Sequence, residues 1–263
     1  MASLTTQLSH NELHAFLEEK VQQYNQPNFL ETDPLGIPHR FSKPQDIEIA
    51  GFLAATIAWG QRATIIKNAN RLMEWMEHEP YQFIVQHEAS DREQFAGFVH
   101  RTFNGIDCRY FLQALQHIYK EYNTLETAFA GNALNPAETA FDCITRFRQR
   151  FFALPHEQRT EKHVSNPEKN ASAKRLNMYL RWMVRNDNRG VDFGLWKSIA
   201  PAQLMMPLDV YTATVGRKLG LLTRKQNDRK SVEELTASLR AFDAEDPVKY
   251  DFALFGLGVF EGF

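Results

Sequence analysis

A single aspartate stands where a helix is predicted to begin near the carboxyl end of the chain. Asp209 follows the apolar run QLMMPL and directly precedes a helical pattern that starts at Val210. Aspartate is a favoured helix N-cap because its carboxylate accepts hydrogen bonds from free N–H groups and suits the positive helix end. A capping carboxylate is held rigidly and keeps a second oxygen for another partner. Asp209 is therefore predicted to be a cap, and a chemical role remains open.

A lysine opens another predicted helix, SAKRLNMYLRWMVR, in which Lys174 lies in the first turn. A positive charge is disfavoured at a helix N-terminus, which weakens proton binding, and burial would weaken it further. A neutral lysine amine is a nucleophile, and a nearby carboxylate can stabilise cationic character and manage protons. The alternative is that Lys174 is a solvated surface lysine, as most such lysines are.

A short polar turn separates two apolar helical patterns earlier in the chain. It runs from Ala58 to Thr64 and contains Gly60, which permits a tight turn between helices. Gln61 is expected at the tip of this turn. The alternative interpretation is an ordinary helix connection whose polar residues face solvent.

Charge is distributed unevenly along a chain of formal net charge −2. Between Ile144 and Gly190 there are eleven lysines and arginines against four acidic residues. Such a block attracts polyanions such as nucleic acid. The alternative is a solvated helix face that acidic residues from elsewhere in the chain balance.

The elements that must position these residues are helical in pattern nearly throughout. Ser9 and Glu12 form a capping box before the first helix, and the segment DIEIAGFLAATIAW is hydrophobic on every side, which predicts a central helix. We find no strand-like alternation, internal repeat or low-complexity segment. The prediction is an all-α protein in which residues 1–263 form one unit of two packed helical lobes with a cleft between them. Approximately, residues 45–150 form the central lobe, and residues 1–44 and 151–263 form the second.

Composition excludes several classes of protein. The two cysteines, Cys108 and Cys143, have no metal-binding spacing, which argues against a zinc site or an iron–sulfur cluster and suits a reducing cytoplasm. Residues 1–20 lack the pattern of a secretory signal, and no apolar run reaches the length of roughly 18 residues that a transmembrane helix needs. The expectation is a cytoplasmic protein with no membrane association and no metal.

Three segments resemble the helix-hairpin-helix superfamily of DNA glycosylases, from about Glu48 to the end of the chain. The run IAGFLAATIAWGQRATIIKNANRLMEW is similar to the early helix pair of that superfamily. PLDVYTATVGRKLGL resembles its signature proline-x-aspartate-valine-x-x-x-valine-x-arginine-x-leucine, and YDFALFGLGV resembles its closing helix. The layout is most similar to the archaeal 8-oxoguanine DNA glycosylase branch. The whole chain also resembles a family of uncharacterised bacterial proteins that share the run RLNMYLRWMVR.

The resemblance implies base-excision repair by a DNA glycosylase with lyase activity, acting as a monomer on duplex DNA that carries a damaged base. An oxidised purine is the lesion that the archaeal branch suggests, and no cofactor is implied. Lys174 would attack the anomeric carbon of the sugar while Asp209 stabilises the developing positive charge. The implied DNA-binding residues fall in two groups: Gln61, Arg62 and Trp59 at the gap left by the extruded base, and Arg175, Arg181 and Arg185 on backbone phosphates.

The chain departs from the superfamily where the hairpin before the lysine should be. The usual leucine-proline-glycine-valine-glycine is replaced by residues Asn166–Ala173, which leaves Lys169 as an alternative nucleophile. If neither lysine serves, the protein is a glycosylase without lyase activity, or inactive. The other function that remains open is a non-catalytic helical module that binds nucleic acid or another protein.

Overall fold

The computed structural model describes residues 8–131 and 135–263. The first seven residues of the segment in which we predict no secretory signal lie outside the described residues. Within the described residues the regular secondary structure is helical apart from one short ribbon, and the all-α prediction is confirmed. The helices are α1 (His10–Tyr24), α2 (Pro44–Thr56), α3 (Arg62–Trp75), α4 (Pro80–Gln86), α5 (Gly105–Tyr122), α6 (Leu125–Ala130), α7 (Ala140–Phe151), α8 (Lys174–Val184), α9 (Val210–Lys218), α10 (Arg229–Arg240) and α11 (Tyr250–Phe260).

Short 3₁₀ helices and one small ribbon complete the described secondary structure. The ribbon pairs β1 (Val99–His100) with β2 (Phe103–Asn104) in antiparallel fashion. The 3₁₀ helices span Pro27–Glu31, Pro34–Gly36, Pro38–Arg40, Asp91–Gly97, Gln158–His163, Pro167–Lys169, Pro201–Gln203 and Pro247–Lys249. No helix in the described ranges is both long enough and apolar enough to cross a membrane.

The chain divides into two compact units. The central unit comprises Leu30–Asn135 and Asp142–Asn166. The carboxy-terminal unit comprises the chain up to Phe29, Pro136–Phe141 and Pro167–Phe263.

The core of the central unit is built around α2. Every α2 residue from Ile47 to Thr56 is buried, which confirms the prediction that this apolar segment is a central helix. The Phe52 ring packs at 5.9 Å from Phe111 and at 5.3 Å from Phe147, measured between ring centroids. Aromatic rings bury large apolar areas and prefer such offset or edge-on contacts.

In the carboxy-terminal unit, α11 packs against α1 and α9. Glycines on α11 permit these close contacts: a Cβ on Gly256 would lie 2.2 Å from Cδ2 of Tyr24, and one on Gly258 would lie 2.8 Å from Cβ of Tyr211. Helix α8 contributes the fully buried Trp182 to the core. These packed helices position the residues of the candidate site.

Candidate amine and carboxylate site

Asp209 is the N-cap of α9, as the sequence predicts. Its Oδ1 accepts a hydrogen bond of 2.9 Å from the backbone N–H of Thr212. Its Oδ2 lies 3.9 Å from Nζ of Lys174. One oxygen therefore holds the carboxylate at the helix end while the other faces an amine.

Lys174 is the first residue of α8, and it is preceded by Ala173 in the left-handed region with φ of 47°. The Lys174 and Asp209 side chains are 27% and 20% exposed, so the pair is sheltered but reachable from solvent. The Nζ atom also lies 3.6 Å from Sδ of Met178, one turn along α8. At 3.9 Å the amine and the carboxylate attract one another without the short contact of a hydrogen bond. The arrangement leaves the amine close to a proton acceptor and accessible to an electrophilic carbon.

A stripe of side chains runs along α8 from this lysine into the protein. Lys174, Met178, Arg181 and Arg185 are spaced so that they share one helix face. Arg181 Nη1 donates a hydrogen bond of 2.6 Å to Asp251 Oδ2, and its Nε lies 3.3 Å from Asp192 Oδ1. The amine is therefore the partly exposed end of a buried row of charges.

Arg185 continues that row and is bound on every side of its guanidinium. It donates to Asp192 at 2.9 Å, to Asp187 at 2.8 Å and to both oxygens of Asp246, at 3.0 and 2.9 Å. The charge of these carboxylates raises the pKa of the Arg185 guanidinium against the opposing effect of burial. Arg185 is a structural cation of the carboxy-terminal unit.

The prediction that Arg181 and Arg185 grip DNA phosphates is wrong. The two side chains are 4% and 2% exposed, and their donors are directed to buried carboxylates. Moving either guanidinium to a phosphate would leave those carboxylates buried without their partner, at a cost of several kcal/mol. Arg175 differs from them because it is half-buried, and burial lowers the pKa of its guanidinium to about 10. A phosphate contact from Arg175 stays a prediction.

Asp251 is a site residue that the sequence analysis missed. It is buried near the start of α11 and accepts the hydrogen bond from Arg181. Burial raises the pKa of its carboxyl group to about 6, and the charge of Asp209 adds to that rise. The charges of Arg181 and Lys174 act in the opposite direction. An aspartate inside the otherwise apolar run YDFALFGLGV was the available signal, because burying an unpaired carboxylate is unfavourable.

The Gln61 turn belongs to the central unit. Gln61 occupies the N-cap position of α3, but its side chain is exposed and makes no capping hydrogen bond. Gly60 adopts a positive φ of 111°, and a Cβ there would lie 2.7 Å from Nη1 of Arg101. The turn thus needs glycine, and it presents Gln61 to solvent.

Its neighbours Trp59 and Arg62 are both half-buried. The Trp59 ring lies 5.0 Å from the ring of His100 and 6.0 Å from that of His163, measured between centroids. The Trp59 carbonyl also lies 3.1 Å from His100 Nε2, which fixes the backbone of the turn. The structure brings Trp59, Gln61 and Arg62 together in the central unit, and Lys174 together with Asp209 in the carboxy-terminal unit.

Lys169, the alternative nucleophile, ends a 3₁₀ helix and is exposed. Among the described residues, no cluster of three or more histidine, cysteine, aspartate or glutamate side chains could hold a metal ion.

A family model described as "Protein of unknown function (DUF2400)" matches residues 33–260, a range that contains every residue of the candidate site. No curated protein and no solved structure matches the chain.

Proposed function

Because the chain belongs to the DUF2400 family, whose description names no activity, we propose its function from the site: it is a DNA glycosylase with lyase activity that removes a damaged base. Lys174 is the nucleophile, and Asp209 is the carboxylate that assists it. The observation that carries the proposal is the 3.9 Å approach of Lys174 Nζ to Asp209 Oδ2, while Oδ1 of the same carboxylate caps α9.

The chemistry requires an amine and a carboxylate at one carbon atom. Lys174 Nζ, as the free amine, attacks C1′ of an extruded nucleotide, and the N-glycosidic bond breaks as the base leaves and takes up a proton. The attached amine then loses a proton to Asp209, O4′ takes up a proton as the C1′–O4′ bond breaks, and a protonated Schiff base forms between Nζ and C1′. Loss of a C2′ proton then breaks the C3′–O bond by β-elimination. The proton on the departing base and the water that hydrolyses the final Schiff base come from solvent, so the steps need no metal or organic cofactor.

Asp209 has two tasks in this sequence of steps. Its Oδ2 accepts the proton that Lys174 must lose and stabilises the positive charge that develops on the sugar. Because the cap already fixes the carboxylate, it needs little rearrangement when that charge appears. The two roles of Asp209 therefore support each other.

The assignment of DNA as substrate is supported by the resemblance of three segments to DNA glycosylases and by the exposed Gln61. Gln61 would fill the space that the extruded base leaves, with Trp59 and Arg62 supporting the turn. We propose an oxidised purine in duplex DNA as the substrate and a cytoplasmic monomer as the acting form. The alternative is a module of the same fold that binds nucleic acid or protein without chemistry.

The proposal is tested by borohydride trapping on duplex oligonucleotides that carry 8-oxoguanine or an abasic site. We expect a covalent adduct with wild-type protein and none with Lys174→Gln. Asp209→Asn should lower the rate of adduct formation by at least about 100-fold. Because asparagine is also a good N-cap, the unfolding free energy of this variant should lie within about 0.5 kcal/mol of the wild-type value. Lys120→Gln, on an exposed lysine of the central unit, is the matched control and should trap like wild type.

The remaining outcomes separate the alternatives. If the Lys174→Gln variant still forms an adduct and the Lys169→Gln variant does not, Lys169 is the nucleophile. Base release without an adduct would indicate a glycosylase that lacks lyase activity. Neither base release nor an adduct on any lesion, with Asp209→Asn unchanged in every assay, would leave Asp209 as a helix cap in a non-catalytic module.

A further inference from the structure

The segment that joins α9 to α10 is strongly basic. From Arg217 to Lys230 the sequence contains six lysines and arginines and one acidic residue, Asp228. Lys218, Lys225 and Lys230 are exposed. This segment lies outside the basic block at residues 144–190, and the site described above does not use it.

The arginine of the signature-like run PLDVYTATVGRKLGL shapes this segment. Arg217 Nε donates to the carbonyl of Arg224 at 2.8 Å, and its Nη2 donates to the carbonyl of Lys225 at 2.9 Å. The same Nη2 donates to Oδ1 of Asn227 at 2.7 Å. A guanidinium that satisfies several acceptors of one loop restrains its backbone. The backbone of the loop that carries Lys225 is therefore restrained between the ends of α9 and α10.

The one acidic residue of the segment is already engaged. Asp228 caps α10 by accepting from the backbone N–H of Ser231 at 3.1 Å, and Arg224 Nε donates to it at 2.8 Å. The hydrogen bond from Arg224 is the largest of the effects that hold the pKa of the Asp228 carboxyl well below its ordinary value. Asp228 is thus ionised at neutral pH, with its charge paired to Arg224.

The basic segment is joined to the chain that leads into Lys174. The backbone N–H of Arg229 donates to the carbonyl of Asn170 at 3.1 Å, and the Asn170 side chain donates to Asp228 Oδ2 at 3.0 Å. Asn170 is four residues before Lys174 in the sequence. The exposed lysines and the candidate nucleophile therefore belong to connected parts of one unit.

We propose that Lys218, Lys225 and Lys230 form a surface, the lysine surface, that binds the phosphate backbone of duplex DNA. This proposal rests on the proposed function for its choice of polyanion. Lysine ammonium groups on flexible stems contact phosphates as point charges and carry no information about base sequence. The lysine surface supplies the backbone contacts that the buried Arg181 and Arg185 cannot make.

The lysine surface is tested by fluorescence anisotropy with a short, labelled, undamaged duplex over a series of KCl concentrations. The variant is Lys225→Gln combined with Lys230→Gln. Binding should weaken equally on duplexes of different sequence, and the slope of log K against log [KCl] should fall in magnitude by about 2, close to one for each phosphate that the variant no longer neutralises. The control combines Lys120→Gln with Lys43→Gln, two exposed lysines of the central unit that lie outside the basic block, and makes the same change in net charge. The slope of the control should match that of wild type.

An unchanged slope in the variant, or an equal fall in the control, would overturn the proposal. It would also be overturned if wild-type protein bound heparin but not duplex DNA, since the lysines would then serve another polyanion. Failure here is distinguishable from failure of the glycosylase proposal because anisotropy on undamaged DNA requires no chemistry. If the slope falls in the Lys225/Lys230 variant but wild-type protein gives no borohydride adduct, the lysine surface is supported and the glycosylase proposal is rejected. If wild-type protein gives an adduct but the slope of the variant is unchanged, the glycosylase proposal is supported and the lysine surface is rejected.

Discussion

At the scale of single residues, the two oxygens of Asp209 have different partners, and in the proposed reaction this would let one carboxylate serve both as a cap and in the chemistry. Oδ1 is used by the Thr212 N–H, and Oδ2 is left to the amine of Lys174. A carboxylate without the cap would have to be ordered before it could act, at a cost in conformational entropy. The position is therefore suited to a carboxylate that must not move while it accepts a proton or stabilises charge.

Asp251 gives a prediction about the pH dependence of stability. Its carboxyl has a pKa of about 6 in the folded protein and an ordinary value near 3.8, so the folded state binds the proton more tightly than the unfolded state. The contribution of the Asp251 carboxyl to the unfolding free energy is fully present below about pH 4 and is lost as the pH rises through 6. Asp251→Asn cannot titrate in this range, so the unfolding free energy of the variant minus that of wild type should rise by about 2 to 3 kcal/mol from pH 4 to pH 7. This change is added to a pH-independent cost of removing the carboxylate that pairs with Arg181.

Urea unfolding of both proteins at several pH values measures this difference. Other titrating groups, such as Asp107 with its pKa lowered to about 2, are shared by the two proteins and cancel in the comparison. A difference in unfolding free energy that stays constant from pH 4 to pH 7 would show that the Asp251 carboxyl does not titrate in this range.

At the scale of elements, α8 and α11 position the site by opposite means. Helix α8 anchors a partly exposed amine through a row of buried ion pairs along one face. Helix α11 is almost wholly apolar, and its glycines allow α1 and α9 to approach closely. Asp251 links the two helices through Arg181. A disturbance of the α11 packing should therefore affect the whole carboxy-terminal unit.

Gly256→Ala tests this packing. The new Cβ would meet the Tyr24 ring at its Cγ and Cδ2 atoms, 2.4 and 2.2 Å away, and these atoms cannot swing aside without moving the whole ring. We expect a loss of about 1–3 kcal/mol in unfolding free energy, despite the better helix propensity of alanine. The matched control is Gly97→Ala, where no atom lies within 4 Å of the added Cβ. The control should stay within about 0.5 kcal/mol of wild type, and an equal loss in both variants would contradict the packing argument.

At the scale of the whole molecule, the residues that we assign to the proposed reaction are divided between the two units. The amine and the carboxylate lie in the carboxy-terminal unit, and Gln61 lies in the central unit. If Gln61 fills the space of an extruded base, it matters only where a base must leave a duplex. The requirement for Gln61 should therefore depend on the substrate.

Gln61→Ala should slow base release from a duplex by roughly 10-fold, since extrusion of a paired base costs a few kcal/mol. Trapping on a single-stranded abasic oligonucleotide should be unchanged, because no base has to be extruded there. Stability should also be unchanged, since the side chain is exposed and caps nothing. An equal slowing on both substrates would assign Gln61 a role outside extrusion.

The sequence by itself determined the features that depend on neighbouring residues. Helical periodicity, the apolar character of α2, the cap at Asp209 and the glycine turn before Gln61 all follow from residues within a few positions of each other. Such local preferences can be recognised without knowledge of the fold.

Only the tertiary structure decided which charges meet. The basic block at residues 144–190 is consistent with nucleic-acid binding, yet Arg181 and Arg185 are neutralised by Asp251, Asp192 and Asp246, two of which come from far along the chain. The same holds for Lys174 and Asp209, which start and cap two different helices of one unit and meet only in the folded chain. Electrostatic partners are chosen by distance in space, and sequence spacing does not report that distance for residues on different helices.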